Sequence, residues 1–359
     1  MAFEVDFLPF EGERSGDAIV LRWGDVDSVS WLNQRIAVID GGFKSTGEQL
    51  VDHVRNQYST ERVDIVISTH PDADHVNGLH VVLEELDVDL LLMHLPWDHT
   101  DDIASLFKDG RVTDDSVSDH LRLSLEGARS LEDLARSKGI EITEPFAGAR
   151  LLDGAIEIVG PTVDYYESLL PGFRGTPVAE QTAGLVQRAT EFMKRLAESF
   201  DVETLTDDGS NSAENETSAV TLFRDRDHQV LFTADAGIDA LNQVADRLGL
   251  NEYEPSDFHL IQVPHHGSRH NVGPSLLNRL VGPKRSTDEK LFAAMVSAAT
   301  ESAPRHPAKQ VTNAFRRRGA PVWGPHDHGK TVCHHSSDAP PRPGWSPIDP
   351  LPLYPEVED

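Results

Sequence analysis

Between positions 70 and 75 the sequence HPDADH brings together His70, Asp72, Asp74 and His75. Four potential ligands in six residues suggest metal chemistry. Imidazole nitrogens and carboxylate oxygens together form the mixed shell needed by two divalent ions about 3.5–4 Å apart, one carboxylate being able to bridge them. In a tight turn, positions i and i+2 can serve one ion while i+4 and i+5 serve its neighbour. Further candidates lie downstream. Asp235 follows LFTA, the pair His265–His266 follows VP, and Asn215 stands just before an apolar run. The plain alternatives are an incidental polar turn at 70–75 and, for Asp235, a cap on the helix that begins near Ile238. Asn215 reads equally as loop or site. The single cysteine, Cys333, rules out an internal disulfide and leaves nitrogen and oxygen as the donors.

The elements around these residues explain how they could converge. VDIVISTH (63–70) is a nearly continuous β-branched run, which is how a strand buried on both faces reads. Before it, GDAIVLRWG (16–24) and RIAVIDGG (35–42) read as strands, and GEQLVDHVRNQY (47–58) as a helix. After it come a helical pattern at 75–86 and a strand at 89–96. This β-α-β-α-β order places HPDADH at the C-terminal end of a buried strand, where α/β folds gather their sites. Two excursions interrupt the pattern, at 98–140 and 164–214. The first holds the amphipathic LRLSLEGARSLEDLARSKG, and the second the helical GLVQRATEFMKRLAESF and a loop-like DDGSNSAENE. SAVTLFRD and HQVLFTAD form an expected hairpin, IDALNQVADRLGL a helix, FHLIQVPHHGS a strand, and PAKQVTNAFRRRG a helix. One folded domain is expected over 1–325, with these excursions as insertions. A Pro- and His-rich tail, 326–359, is expected to wrap the surface, with His326, His328, His334 and His335 as solvated loop.

Composition sets outer limits. The chain has 359 residues, 38% of them hydrophobic, and a formal net charge of -28; its mean hydropathy is -0.37. No apolar run nears the roughly 20 residues that span a bilayer. The N-terminus is acidic where a secretory leader would be basic. A cytoplasmic location with no membrane partner is the expectation. The acidic surface repels polyanions at long range, although a local metal centre can override that field.

Taken in order, GDAIVL, IDGG, STHPDADHVNGL, NETSAVTLF, LFTADAG, VPHHGS and RHP resemble the metallo-β-lactamase-fold hydrolases, and within them the hydrolase domain of the ComEC competence proteins. The resemblance runs from residue 16 to about 323. It implies an α/β fold, an αββα sandwich with helical insertions. It also implies a stand-alone hydrolase without the DNA-uptake channel of ComEC. His70 and Asp72 would hold one metal, Asp74, His75 and His265 a second, with Asp235 bridging. Most of the superfamily has His where this chain has Asp72, and a further His near Asn215. The oxygen-rich variant favours Mn²⁺ or Mg²⁺ as much as Zn²⁺. The implied mechanism is attack by a metal-bound hydroxide, with Asp74 orienting water or shuttling its proton. His306 would contact the substrate's anionic group or protonate the leaving group, and His266 would assist as a neighbouring partner. Asp40 is read as shaping its turn and bonding groups around the metals, and Asp17 as a turn residue.

Three functions compete. The first is a phosphodiesterase or nuclease acting on DNA, RNA or a small phosphodiester. Asn215 would help hold its substrate. Arg316 and Arg317, close after His306, would guide a phosphate backbone, the alternative being a solvated helix end with cations suited to its C-terminus. The second is hydrolysis of a lactone, thioester, amide or peptide carbonyl. The third is a non-catalytic scaffold whose helical excursions dock a protein partner.

Overall fold

The β-branched run contributes Ile65–Ile67, every residue buried, to the middle of a sheet. The computed structural model describes residues 1–26, 31–101, 113–174, 176, 195–226, 228–301, 306–325 and 329–358. Among them, one seven-stranded sheet has the order Val332–His335, Ala2–Phe7, Ala18–Val26, Trp31–Gly41, Ile65–Ile67, Leu90–Leu92, Glu141–Thr143. A second seven-stranded sheet runs Val322–Trp323, Ala293–Met295, Leu260–Gln262, His228–Phe232, Val220–Asp225, Ile156–Gly160, Arg150–Leu151. In each sheet the strands that end at the site are joined in parallel: Trp31–Gly41 to Ile65–Ile67, and His228–Phe232 to Leu260–Gln262.

Strand alternation explains the layering. Ile19 and Leu21 point to the layer between the sheets, where they meet Phe3, Phe7, Ile156, Ile158, Phe223 and Phe232. Val20, between them, points outward with Val38 and Val66 and packs on Leu50, Val54, Leu79 and Val82 of the helices Lys44–Tyr58 and Ala73–Glu85. Across the molecule Leu222, Leu231 and Ile261 pack on Leu241, Val244, Leu277 and Phe315 from three further helices. Burying each such side chain stabilises the fold by roughly 1.5–3 kcal/mol. The result is the expected αββα sandwich.

One close approach seats the helix that bears Asp74 and His75. Gly78 donates its N–H to the Gly42 carbonyl at 2.8 Å. A Cβ at position 78 would stand 1.9 Å from the carbonyl oxygen of Gly41. Any side chain at 78 would lift Ala73–Glu85 off the end of Trp31–Gly41 and carry His75 with it.

Four expectations change. The amphipathic pattern of the first excursion is two helices, Asp114–Ser124 and Glu126–Lys138, broken at Leu125, whose φ of -110° and ψ of 43° leave the helical range. Most of the helix expected over 184–200 lies outside the described residues, and its end, Arg195–Ala197, is instead a strand paired antiparallel with Glu356–Glu358. The N-terminal segment Ala2–Phe7, not read as an element, is a fully buried strand. In the tail, Val332–His335 pairs with that strand, and Arg342 grips it, reaching Glu4 at 2.6 Å and Asp6 at 2.7 Å. His334 and His335 therefore sit on an edge strand, while His326 and His328 lie outside the described residues.

Candidate metal centre

Strand ends from both sheets deliver the site. Ile65–Ile67 leads into His70, His228–Phe232 into Asp235, and Leu260–Gln262 into His265 and His266. The turns are tight. Ala234, His265 and His266 all have left-handed backbone, with φ of 46°, 47° and 54°. Non-glycine residues held there carry conformational strain of the kind that clusters at functional sites.

Oδ2 of Asp235, a side chain only 3% exposed, is the hub. Nε2 of His75 lies 3.4 Å from it, Nε2 of His265 3.5 Å, Nε2 of His70 3.9 Å and Nε2 of His266 3.9 Å. Each ring is anchored by its other nitrogen. His75 Nδ1 bonds Asp40 Oδ2 at 2.7 Å, and His266 Nδ1 bonds the Ser297 carbonyl at 3.1 Å. His265 Nδ1 bonds Asn271 Oδ1 at 2.9 Å, and His70 Nδ1 faces the Thr69 hydroxyl at 3.1 Å. That hydroxyl donates to Asp40 Oδ2 at 2.7 Å, leaving its oxygen to accept from His70. Acceptors beside each Nδ1 favour, in the neutral ring, the tautomer that carries its proton there, so that each Nε2 is the nitrogen turned to Asp235 and available to a metal. Nε2 of His70, His75 and His266 and Oδ1 of Asp235 are buried without a hydrogen-bond partner, a costly arrangement for polar atoms unless a cation collects them.

The electrostatics agree. Burial pushes the His266 imidazole down, but Asp235 and Asp74 outweigh it and raise it to about 9. Burial likewise opposes the charged form of Asp235, and the imidazoles of His265, His266 and His75 overcome it, holding the carboxyl well below its usual range. For Asp74 the same contest between burial and neighbouring charge ends low, through the imidazoles of His75 and His266. A field that draws positive charge to these nitrogens also draws a metal ion. Among the described residues, three overlapping sets bring ligand atoms within 4.8 Å of one another: Asp40, His70 and His75; Asp74, His75 and His266; Asp17, His75 and Asp235. The donors are nitrogen and oxygen, and they fit divalent ions.

The remaining expected residues fall in different places. Asp72 lies on the rim, its side chain 25% exposed, with Oδ2 3.8 Å from His70 Nε2. Asn215 is buried, its amide nitrogen 3.3 Å from His265 Nδ1. The His306 ring stacks beside His265 with centroids 6.5 Å apart; burial lowers it to about 4. Arg316 and Arg317 are not rim cations. Arg316 pairs with Asp288 at 2.5 Å. Arg317 is fully buried against Glu198 at 2.8 Å and also bonds the Val202 carbonyl at 2.7 Å. Buried in this way, Arg317 does not present the charge to a phosphate backbone that was expected of it, and Arg316 is engaged by Asp288. Arg317 clamps the chain that returns from the second excursion, while Arg316 is also held by the Leu351 carbonyl at 3.1 Å.

Two site residues were not anticipated. Asp17, read as a turn residue, is buried with Oδ1 3.8 Å from His266 Nδ1, and Gln262 donates to its Oδ2 at 2.6 Å. Burial pushes its carboxyl up, against the pull of His266 and His75. Arg174, from the second excursion, reaches Asp72 Oδ1 at 2.6 Å. The GD dipeptide before a strand was the available signal for Asp17. None in the sequence marked Arg174.

Residues 24–172 match the family model of the metallo-beta-lactamase superfamily. Among solved structures, a protein from Thermotoga maritima described as a metallo-beta-lactamase is 11% identical over 66% of this chain and 79% of its own, with a TM-score of 0.32. A diphosphatase from the PhnP family is 11% identical over 93% of this chain and 98% of its own, with a TM-score of 0.39. A long-form RNase Z from yeast is 9% identical over 92% of this chain and 41% of its own, with a TM-score of 0.40. No curated protein matches the sequence. Residues 24–172 thus resemble the metallo-β-lactamase superfamily, and the two facing sheets with their outer helices have the metallo-β-lactamase fold.

Proposed function

We infer that the protein is a metal-dependent phosphodiesterase. The observation that carries this reading is the set of four imidazoles, each anchored through Nδ1 and turned toward Asp235 Oδ2 within 3.4–3.9 Å. His70, His75, Asp235, His265 and His266 would hold two divalent ions, with Asp74 and Asp72 completing the shell. When bound, such ions supply Lewis acidity and bring the ionisation of water down to roughly pH 7. The chain's own residues then position the reaction. Asp74, at the rim and 3.7 Å from His266 Nε2, would orient water and take its proton. His306, beside His265, would hydrogen-bond an oxygen of the substrate.

The choice of a phosphodiester over a carbonyl bond rests on Asp72 in place of the more usual His, and on the ComEC-like motif around it. Hard oxygen donors favour Mn²⁺ or Mg²⁺ alongside Zn²⁺, and those ions suit phosphoryl oxygens. Within phosphodiesters, the burial of Arg317 removes the track expected for a long backbone, so the favoured substrate is short. In the purified protein, bound metal and cleavage of a generic phosphodiester, DNA, and ester and lactam reporters should be compared with Mn²⁺ and Zn²⁺. Phosphodiester turnover is expected, lost in Asp74→Ala and His265→Ala proteins that remain folded. Turnover of the carbonyl reporters alone would transfer the reading to acyl chemistry.

A further inference from the structure

Arg174 is the described cation that touches a candidate ligand from outside the strand ends. Its backbone N–H is fixed by Glu214 Oε1 at 2.7 Å, so the second excursion is pinned where its guanidinium meets Asp72. The contact takes one carboxylate oxygen, Oδ1 at 2.6 Å, while Oδ2 faces His70 Nε2 at 3.8 Å. The pair is open to solvent, Arg174 being 47% and Asp72 25% exposed. An exposed pair of this kind is weak and exchanges readily. A guanidinium is also the side chain best shaped to accept two oxygens of a phosphoryl group. Asp72 therefore has two rival cationic partners, a metal ion and Arg174; Arg174, whose Nε also lies 3.9 Å from Glu214 Oε1, has Asp72 and substrate as rivals for its Nη2 edge.

We propose that Arg174 is a latch on Asp72: an anionic group of the substrate draws the guanidinium away, and the freed carboxylate turns to the metal beside His70. The latch rests on the metal reading above and adds a coupling to it. Anion and metal must strengthen each other's binding, because each favours the arrangement in which Arg174 and Asp72 are apart.

Titration calorimetry of Mn²⁺ into metal-stripped protein, in chloride and in sulfate at equal ionic strength, tests this without turnover. Sulfate serves as the tetrahedral oxyanion. Wild-type protein is expected to bind Mn²⁺ about tenfold more tightly in sulfate, a coupling of ordinary size. Arg174→Gln should bind in chloride as tightly as wild type does in sulfate, and should ignore the change of anion. Asp72→Asn should also ignore it but stay weak. Direct attraction between sulfate and a bound ion would persist in Arg174→Gln, and that persistence would overturn the latch alone. So would wild-type binding that is indifferent to sulfate. Absence of Mn²⁺ uptake in every buffer would overturn the metal reading and the latch with it.

Discussion

Asp40, set back behind the rings, governs two of the imidazoles. It is fully buried, accepts from Thr69 N–H at 2.9 Å, from the Thr69 hydroxyl at 2.7 Å, and from His75 Nδ1 at 2.7 Å. With a carboxylate there, the His75 proton stays on Nδ1 and Nε2 keeps its lone pair. An amide could donate to Nδ1 and move the proton to Nε2, where it would block a metal. Asp40→Asn is therefore expected to weaken Mn²⁺ or Zn²⁺ binding by about 10–100-fold while circular dichroism stays unchanged. A metal titration checks it, and unchanged affinity would show that the tautomer is set elsewhere. At this scale the sequence was partly legible. HPDADH and VPHHGS declared themselves because ligand types are dense there. Asp17 did not, because its place depends on register: its N–H donates to the Asp74 carbonyl at 3.3 Å across 57 positions of sequence, which no local pattern encodes. Arg174 was hidden for the same reason, lying in a loop 102 positions from Asp72.

The elements that carry the site were more readable, since buried strands and amphipathic helices announce themselves by period. What periodicity could not show was how the excursions attach. His99, after the short turn Pro96–Asp98, hydrogen-bonds Glu144 through Nε2 and Glu167 through Nδ1, both at 2.9 Å. It thereby ties the first excursion to the helix Val163–Leu169, which opens the second. The Glu144 hydrogen bond leads in raising the imidazole to about 9; burial opposes it and the Glu167 hydrogen bond adds to it. The sign follows from the raised value. The stabilisation is complete below the unfolded value near 6.5 and is lost as pH rises through about 9. Between pH 6.5 and 9.5, limited proteolysis of the excursions should accelerate in the wild type. In His99→Gln it should be faster at pH 6.5 and nearly independent of pH. A pH-independent wild type would mean that apolar packing alone, such as Phe146 and Tyr166 against the His99 ring, holds the excursions together.

Across the whole molecule, charge and site pull in opposite directions. The chain carries a formal net charge of -28, while the centre between the sheets is built to gather cations. The acidic total was plain from composition, but its consequence was not, because the sequence also offered Arg316 and Arg317, with Arg318 beside them, as an offsetting basic track. Most of that run is internal: Arg317 and Arg318 are at most 1% exposed, paired with Glu198 and Glu203, and the partly exposed Arg316 is paired with Asp288. A long polyanion must then approach against a repulsive field that a small phosphodiester feels far less. Added salt shortens the reach of that field, from a Debye length of about 30 Å at 0.01 M to about 10 Å at 0.1 M. The kcat/KM for a long single-stranded DNA should accordingly rise with salt over this range, while that for a small phosphodiester stays nearly flat. Proteins that bind nucleic acid through basic surfaces show the reverse, losing affinity steeply as salt increases. A fall in DNA cleavage with salt would therefore locate a basic track on the surface of the folded protein and restore long nucleic acid as the substrate.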